Sequence, residues 1–119
     1  MPYSTRNGVK SYYEVSGEGY PLVLMHANPF DRRMFLYQVA HFSTFMKVIN
    51  IDLRAYGYSD KPATPVTMTD LCEDVVAVCR QEGANQAVFA GVSVGGVMGL
   101  QLGLDHPELF KALILVGCS

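Results

Sequence analysis

Charge is scarce along this chain, and no stretch of it is strongly basic. Only 17% of its 119 residues are Asp, Glu, Lys or Arg, and the net charge is −2. The electrostatic footprint required for nucleic-acid binding is therefore missing. Cysteine is scarce too. Cys72, Cys79 and Cys118 have no metal-ligand spacing, and Cys72 and Cys79, seven apart on an expected helix, share a face and pack rather than pair. An odd cysteine count, with no apolar leader in Met1 to Val15, argues against a secreted disulfide scaffold and for a reducing, cytoplasmic setting. Internal repeats and low-complexity tracts are also absent. Half of the residues are hydrophobic, which excludes a disordered polar chain and leaves one small globular unit.

A membrane-spanning run is missing as well, although one segment imitates it. Ala87 to Leu104 is eighteen residues without a charge, and Gly91, Gly95, Gly99 and Gly103 repeat at the spacing of packed membrane helices. It is short for a span, and its five glycines make it a weak helix over its whole length. A strand to Ala90, a turn at Ser93 and a helix with its glycine face on a sheet explain the same residues better, so no membrane partner is expected.

Secondary structure can be read from the remaining pattern. Asn7-Gly8 is a two-residue hairpin turn between Tyr3 to Arg6 and Val9 to Val15, where apolar and polar residues alternate. Leu22 to Met25 is a continuous apolar run of buried-strand type. Arg33 to Phe42 reads as a short helix, and Phe45 to Ile51 as a strand ending at Asp52. Thr67-Met68-Thr69-Asp70 opens a helix in the manner of a capping box, and Gly83 stops it. Strand Gln86 to Ala90, helix Val94 to Leu104 ending before Pro107, and strand Ala112 to Val116 follow. An antiparallel hairpin leading into repeated strand–helix units gives an α/β fold with a mainly parallel sheet.

Ser93 is the candidate nucleophile. It is the centre of Gly91-Val92-Ser93-Val94-Gly95-Gly96, between the run Gln86 to Ala90 and a helical stretch. That context turns a G-x-S-x-G match into a nucleophile elbow, with the hydroxyl lifted clear of the sheet. The Val94 N–H then lies at a helix N-terminus, where unpaired donors and the helix dipole favour developing negative charge.

Three motifs, each after the expected strand, carry a resemblance: His26-Ala27-Asn28-Pro29 (H-G-x-P), Asp52-Leu53-Arg54-Ala55-Tyr56-Gly57-Tyr58-Ser59 (D-x-R-G-x-G-x-S) and Gly91 to Gly95. In their order they resemble the N-terminal half of the α/β-hydrolase fold family, over nearly the whole of residues 1–119. The resemblance implies that the backbone N–H of Asn28 joins that of Val94 as an oxyanion hole. It also implies that His26 is structural, and that Asp52 and Arg54 brace their loop, for which an ion pair between them is one device. Ala27 and Ala55 stand where the family usually has glycine, and a positive φ at either would strain it. His41, on a helix, and His106, beside Pro107, read as surface or packing residues.

Serine attack needs a histidine base held by an acid. The family places both after later strands, and Gly117-Cys118-Ser119 offers neither. The chain is therefore expected to need a complementary C-terminal half, as a separate chain or as missing sequence, and to expose an unpaired sheet edge that favours self-association. His-Ala-Asn-Pro and Ser59-Asp60-Lys61-Pro62 are similar to haloalkane dehalogenase and epoxide hydrolase branches, which form an alkyl ester on an elbow aspartate. Ser93 suits attack on a carbonyl instead. The expected substrate is a small ester or lactone, with no metal or organic cofactor. Perhydrolase and C–C bond hydrolase activities share this half, and a non-catalytic binding domain that kept the fold is the alternative.

Overall fold

Asn7 and Gly8 both take positive φ, 51° and 78°, as the tight hairpin turn demands. They join β1 (Tyr3–Arg6) to β2 (Val9–Ser16), paired antiparallel with Tyr3 opposite Tyr12. The computed structural model describes residues 2–117, so Cys118 and Ser119 lie outside the described residues. β3 (Tyr20–Met25), β4 (Met46–Ile51), β5 (Ala87–Val92) and β6 (Phe110–Val116) complete one six-stranded sheet in the order β1-β2-β4-β3-β5-β6. β2 meets β4 antiparallel, and the pairs β3–β4, β3–β5 and β5–β6 are parallel. The expected hairpin-led, mainly parallel sheet is what forms.

Alternation along the strands divides the core between two faces. Val23, Met25, Ile49, Ile51 and Phe89 pack with α2 (Met68–Gln81) and α3 (Val94–Asp105) on one side. Leu22, Leu24 and Val48 pack with Phe35, Val39 and Phe42 on the other. A strand buried on both faces needs apolar residues throughout, which is why β3 reads as an unbroken run. α2 begins at the capping box: the Thr67 hydroxyl accepts from the Asp70 N–H, and the Asp70 carboxylate accepts from the Thr67 N–H, both at 3.1 Å. Cys72 and Cys79 are free and buried on its core face, as expected.

Several boundaries shift from the sequence reading, β3 and β6 each starting two residues earlier, at Tyr20 and Phe110, and two further differences have local causes. The helix expected over Arg33 to Phe42 is divided into a 3-10 helix (Arg32–Phe35) and α1 (Leu36–Phe42). Asp31 caps the first piece by accepting from the Arg33 N–H at 2.9 Å. β5 continues past Ala90 to Val92 because Gly91 and Val92 pair in parallel with Leu115 and Val116 of β6. β6 is an edge strand that leaves Ile114 and Val116 more than half exposed. Beside it an apolar cavity of about 550 Å³ opens between β5, β6 and α1. Among the described residues, no helix is long and apolar enough to cross a membrane.

Candidate active site

The sheet has one topological switch point, between β3 and β5. The chain leaves β3 for β4 on one side and β5 for β6 on the other, and loops at such a point diverge to leave a crevice beyond the strand ends. Met25 and Gly91 are register partners. Asn28 follows Met25 by three residues and Ser93 follows Gly91 by two, so both candidate residues stand at the same end of adjacent parallel strands.

Ser93 joins β5 directly to α3 with φ 58° and ψ −112°. This is the positive φ expected of an elbow, and for a non-glycine residue it stores on the order of 1–3 kcal/mol of strain. Two glycines make the turn possible. A β-carbon on Gly91 would run into the backbone of Gly95, and one on Gly95 would sit 2.6 Å from the Met25 carbonyl oxygen of β3. The Ser93 N–H donates to the Val116 carbonyl at 2.8 Å and its carbonyl accepts from the Val97 N–H at 3.1 Å. Its side chain makes no cap hydrogen bond to the helix it starts, and the residue is exposed.

The Asn28 N–H belongs to the same planar peptide as the Ala27 carbonyl and points away from it. That carbonyl accepts from the Phe30 N–H at 2.9 Å and lies 3.0 Å from His26 Nδ1. The Asn28 N–H and the Val94 N–H have no protein acceptor among the described residues. Asn28 is exposed, and Ala27, whose φ is not positive, is buried and unstrained. Ala55 does carry the strain considered for it, at φ 79°.

His26 is completely buried, and its tautomer is fixed by its neighbours. The Leu53 N–H donates to Nε2 at 2.9 Å, so the ring proton is on Nδ1, which donates to Ala27. Burial holds its pKa below the ordinary value, against the pull of the Ala27 hydrogen bond and of Asp52. A neutral ring with both nitrogens engaged joins the loop after β3 to the loop after β4 and cannot serve Ser93 as base. His41 is exposed on α1 against Phe42 and Phe45. His106 lies 2.7 Å from Glu73 beyond the far end of the twelve-residue α3, about 18 Å from Ser93 at 1.5 Å per residue.

Asp52 and Arg54 do brace the loop, but not through each other. The Asp52 carboxylate is filled by the Arg32 N–H at 2.8 Å, an Arg32 Nη1 at 2.6 Å and the Tyr58 N–H at 2.9 Å. Arg54 directs Nε and Nη2 to the two oxygens of Asp74 at 2.8 and 2.9 Å, a fork-to-fork geometry that matches a guanidinium. Arg32 is also sandwiched between the rings of Tyr12 and Tyr58, each 4.6 Å from its guanidinium carbon. Arg32 and Asp74 were not singled out from the sequence; a lone acid on the apolar stripe of α2 was the available signal for Asp74. Met34, whose sulfur lies 3.3 Å from the Ala27 N–H, gave no signal. No cluster of three or more His, Cys, Asp or Glu side chains able to hold a metal occurs among the described residues.

A strained serine between strand and helix at the switch point of a hairpin-led sheet defines the N-terminal portion of the α/β-hydrolase fold. The family model for that fold matches residues 20–118, and the chain belongs to the family. Similar proteins are of several kinds. The solved structure of an N-acyl homoserine lactone degrading enzyme has a TM-score of 0.94 and 38% identity, covering 96% of this chain and 44% of that one. The 3-oxoadipate enol-lactonase 2 of Acinetobacter baylyi is 30% identical over 97% of this chain and 44% of its own length. Bifunctional epoxide hydrolase 2 of Rattus norvegicus is 30% identical over 92% of this chain and 20% of its own. The chain thus spans less than half the length of each of these relatives.

Proposed function

We propose that this chain carries the nucleophile of a serine hydrolase that cleaves a small ester or lactone through an acyl-enzyme. The observation that carries the reading is the exposed Ser93 at φ 58°, ψ −112° where β5 turns into α3. Ser93 Oγ attacks the acyl carbon, forming the Oγ–C bond as its proton passes to a base. The oxyanion is held by the N–H groups of Val94 and Asn28, each worth about 3 kcal/mol in sites of this kind. The tetrahedral adduct then expels the alkoxy group, which takes the proton; in a lactone it stays attached as the other end of the opened ring. Water reverses the sequence on the acyl-enzyme and restores Ser93.

His26, His41 and His106 are all placed for other tasks, so the reading requires a histidine base and its acid from polypeptide beyond these residues. The bare apolar cavity beside β6 and the open β6 edge favour such a complementary half. Among the relatives, the two that act on lactones share the carbonyl chemistry that a serine performs. The epoxide hydrolase lies on the branch whose chemistry Ser93 cannot carry out.

The test is turnover of p-nitrophenyl acetate by the complete polypeptide, or by this chain with its complementary half. Ser93→Ala should abolish it, and turnover that survives would place the chemistry elsewhere. A complete polypeptide that binds ligands but shows no turnover before substitution would support the binding-domain alternative.

A further inference from the structure

The oxyanion loop is fixed from an unexpected side. Ala27 is buried, with 6% of its surface exposed, so its N–H has little access to water. The only acceptor it meets among the described residues is the thioether sulfur of Met34, at 3.3 Å. Met34 is itself held on the 3-10 helix, its own N–H donating to the Asp31 carbonyl at 3.1 Å. The next residue, Phe35, is anchored in the core. On its other side the Ala27 carbonyl is fixed by His26 and Phe30.

The Ala27 N–H belongs to the peptide before Ala27 and its carbonyl to the peptide after, so both planes that meet at Ala27 are tied and the peptide between Ala27 and Asn28 has little freedom to rotate. Its remaining group is the Asn28 N–H. A sulfur is a weak acceptor, but a buried donor left without one loses its full desolvation energy, so the contact has leverage beyond its strength.

We propose that Met34 is a positioning residue for the oxyanion hole: its sulfur, by accepting the Ala27 N–H, holds the peptide before Ala27 and so steadies the next peptide, whose carbonyl is tied to His26 and Phe30 and whose N–H is that of Asn28. This rests on the reading of Ser93 and Asn28 given above. Met34 also lines the apolar cavity beside β6, and the role assigned to it here passes through Ala27.

Met34→Leu keeps volume and apolar character, so the fold should tolerate it, but it removes the acceptor. Met34→Gln returns an acceptor, an amide oxygen, at similar reach. In the catalytically complete polypeptide, Met34→Leu should lower kcat about three- to tenfold, the range for one ordinary hydrogen bond, with KM nearly unchanged. Met34→Gln should stay within about twofold of the parent by the same arithmetic. Amide exchange at Ala27, which needs no turnover, should accelerate in Met34→Leu and be restored in Met34→Gln.

Unchanged kcat and exchange in Met34→Leu would overturn the proposal, as would equal losses in both variants, since those report packing alone. Turnover surviving in Ser93→Ala would remove the functional reading and Met34's role with it. A silent Ser93→Ala beside a fully active Met34→Leu would remove only the Met34 assignment.

Discussion

Substituting Gly95 by alanine sets two opposed effects against each other, and the structure decides between them. In a helix, alanine is favoured over glycine by about 1 kcal/mol. At Gly95, however, the new β-carbon would stand 2.6 Å from the Met25 carbonyl oxygen and 3.0 Å from Met25 Cγ. The first distance is roughly 1 Å inside ordinary van der Waals contact, and its partner is backbone of a central, fully buried strand that no rotamer can move. Forced overpacking of this kind costs about 1–3 kcal/mol, so the clash should win. Less the propensity gain, the net loss is up to about 2 kcal/mol, a fall in Tm of up to about 10 °C.

Gly103→Ala is the internal control. Its β-carbon would meet only the tip of Leu113, at 2.8 Å, on the edge strand β6. That side chain can swing aside, so helix propensity should leave this variant neutral or slightly more stable. The assay is thermal or urea unfolding of parent and variants at one protein concentration, which holds any association constant. A Gly95→Ala protein as stable as the parent, or a Gly103→Ala protein that loses more, would refute the argument that α3 lies directly on the β3 backbone.

Asp74→Asn should cost about 3–5 kcal/mol, because it leaves the buried Arg54 guanidinium without its counter-charge; a loss below about 1 kcal/mol in urea unfolding would show that the pair is solvated. Acid titration should reveal two carboxylates held at a pKa of about 2, Asp70 chiefly by the Thr67 N–H and Asp31 chiefly by the Arg33 side chain. Both values are depressed, so their stabilisation is complete above the unfolded value near 4 and is lost as pH falls from about 4 to 2; Asp31→Asn and Asp70→Asn together should flatten that acid limb, and an unchanged limb would contradict the assignment. Residues 1–119 alone should self-associate through the open β6 edge and bare apolar face and show no esterase activity, as measured by light scattering and an ester assay; Ile114→Lys should reduce association. A monomeric, active parent chain would overturn this.

Most of the fold was legible because its signals are local. Asn7-Gly8, the unbroken apolar run of β3, the Thr67–Asp70 box and Gly91 through Gly95 each impose a backbone geometry without reference to distant residues. What was not legible is set by tertiary pairing. β5 extends to Val92 because β6 lies beside it. Asp52 and Arg54 were correctly read as braces, but their partners, Arg32 and Asp74, are twenty residues away on other elements. The commitment of His26 follows from a single N–H from Leu53, and the role of Met34 from a sulfur that no motif marks.

Covalent labelling of the complete polypeptide asks whether Ser93 is the nucleophile we propose. A fluorophosphonate should react with the catalytically complete polypeptide by forming one Oγ–P bond as fluoride leaves. Peptide mapping by mass spectrometry should find that adduct on Ser93, and Ser93→Ala should take up none. An adduct on another residue, or equal labelling of the Ser93→Ala protein, would contradict the account.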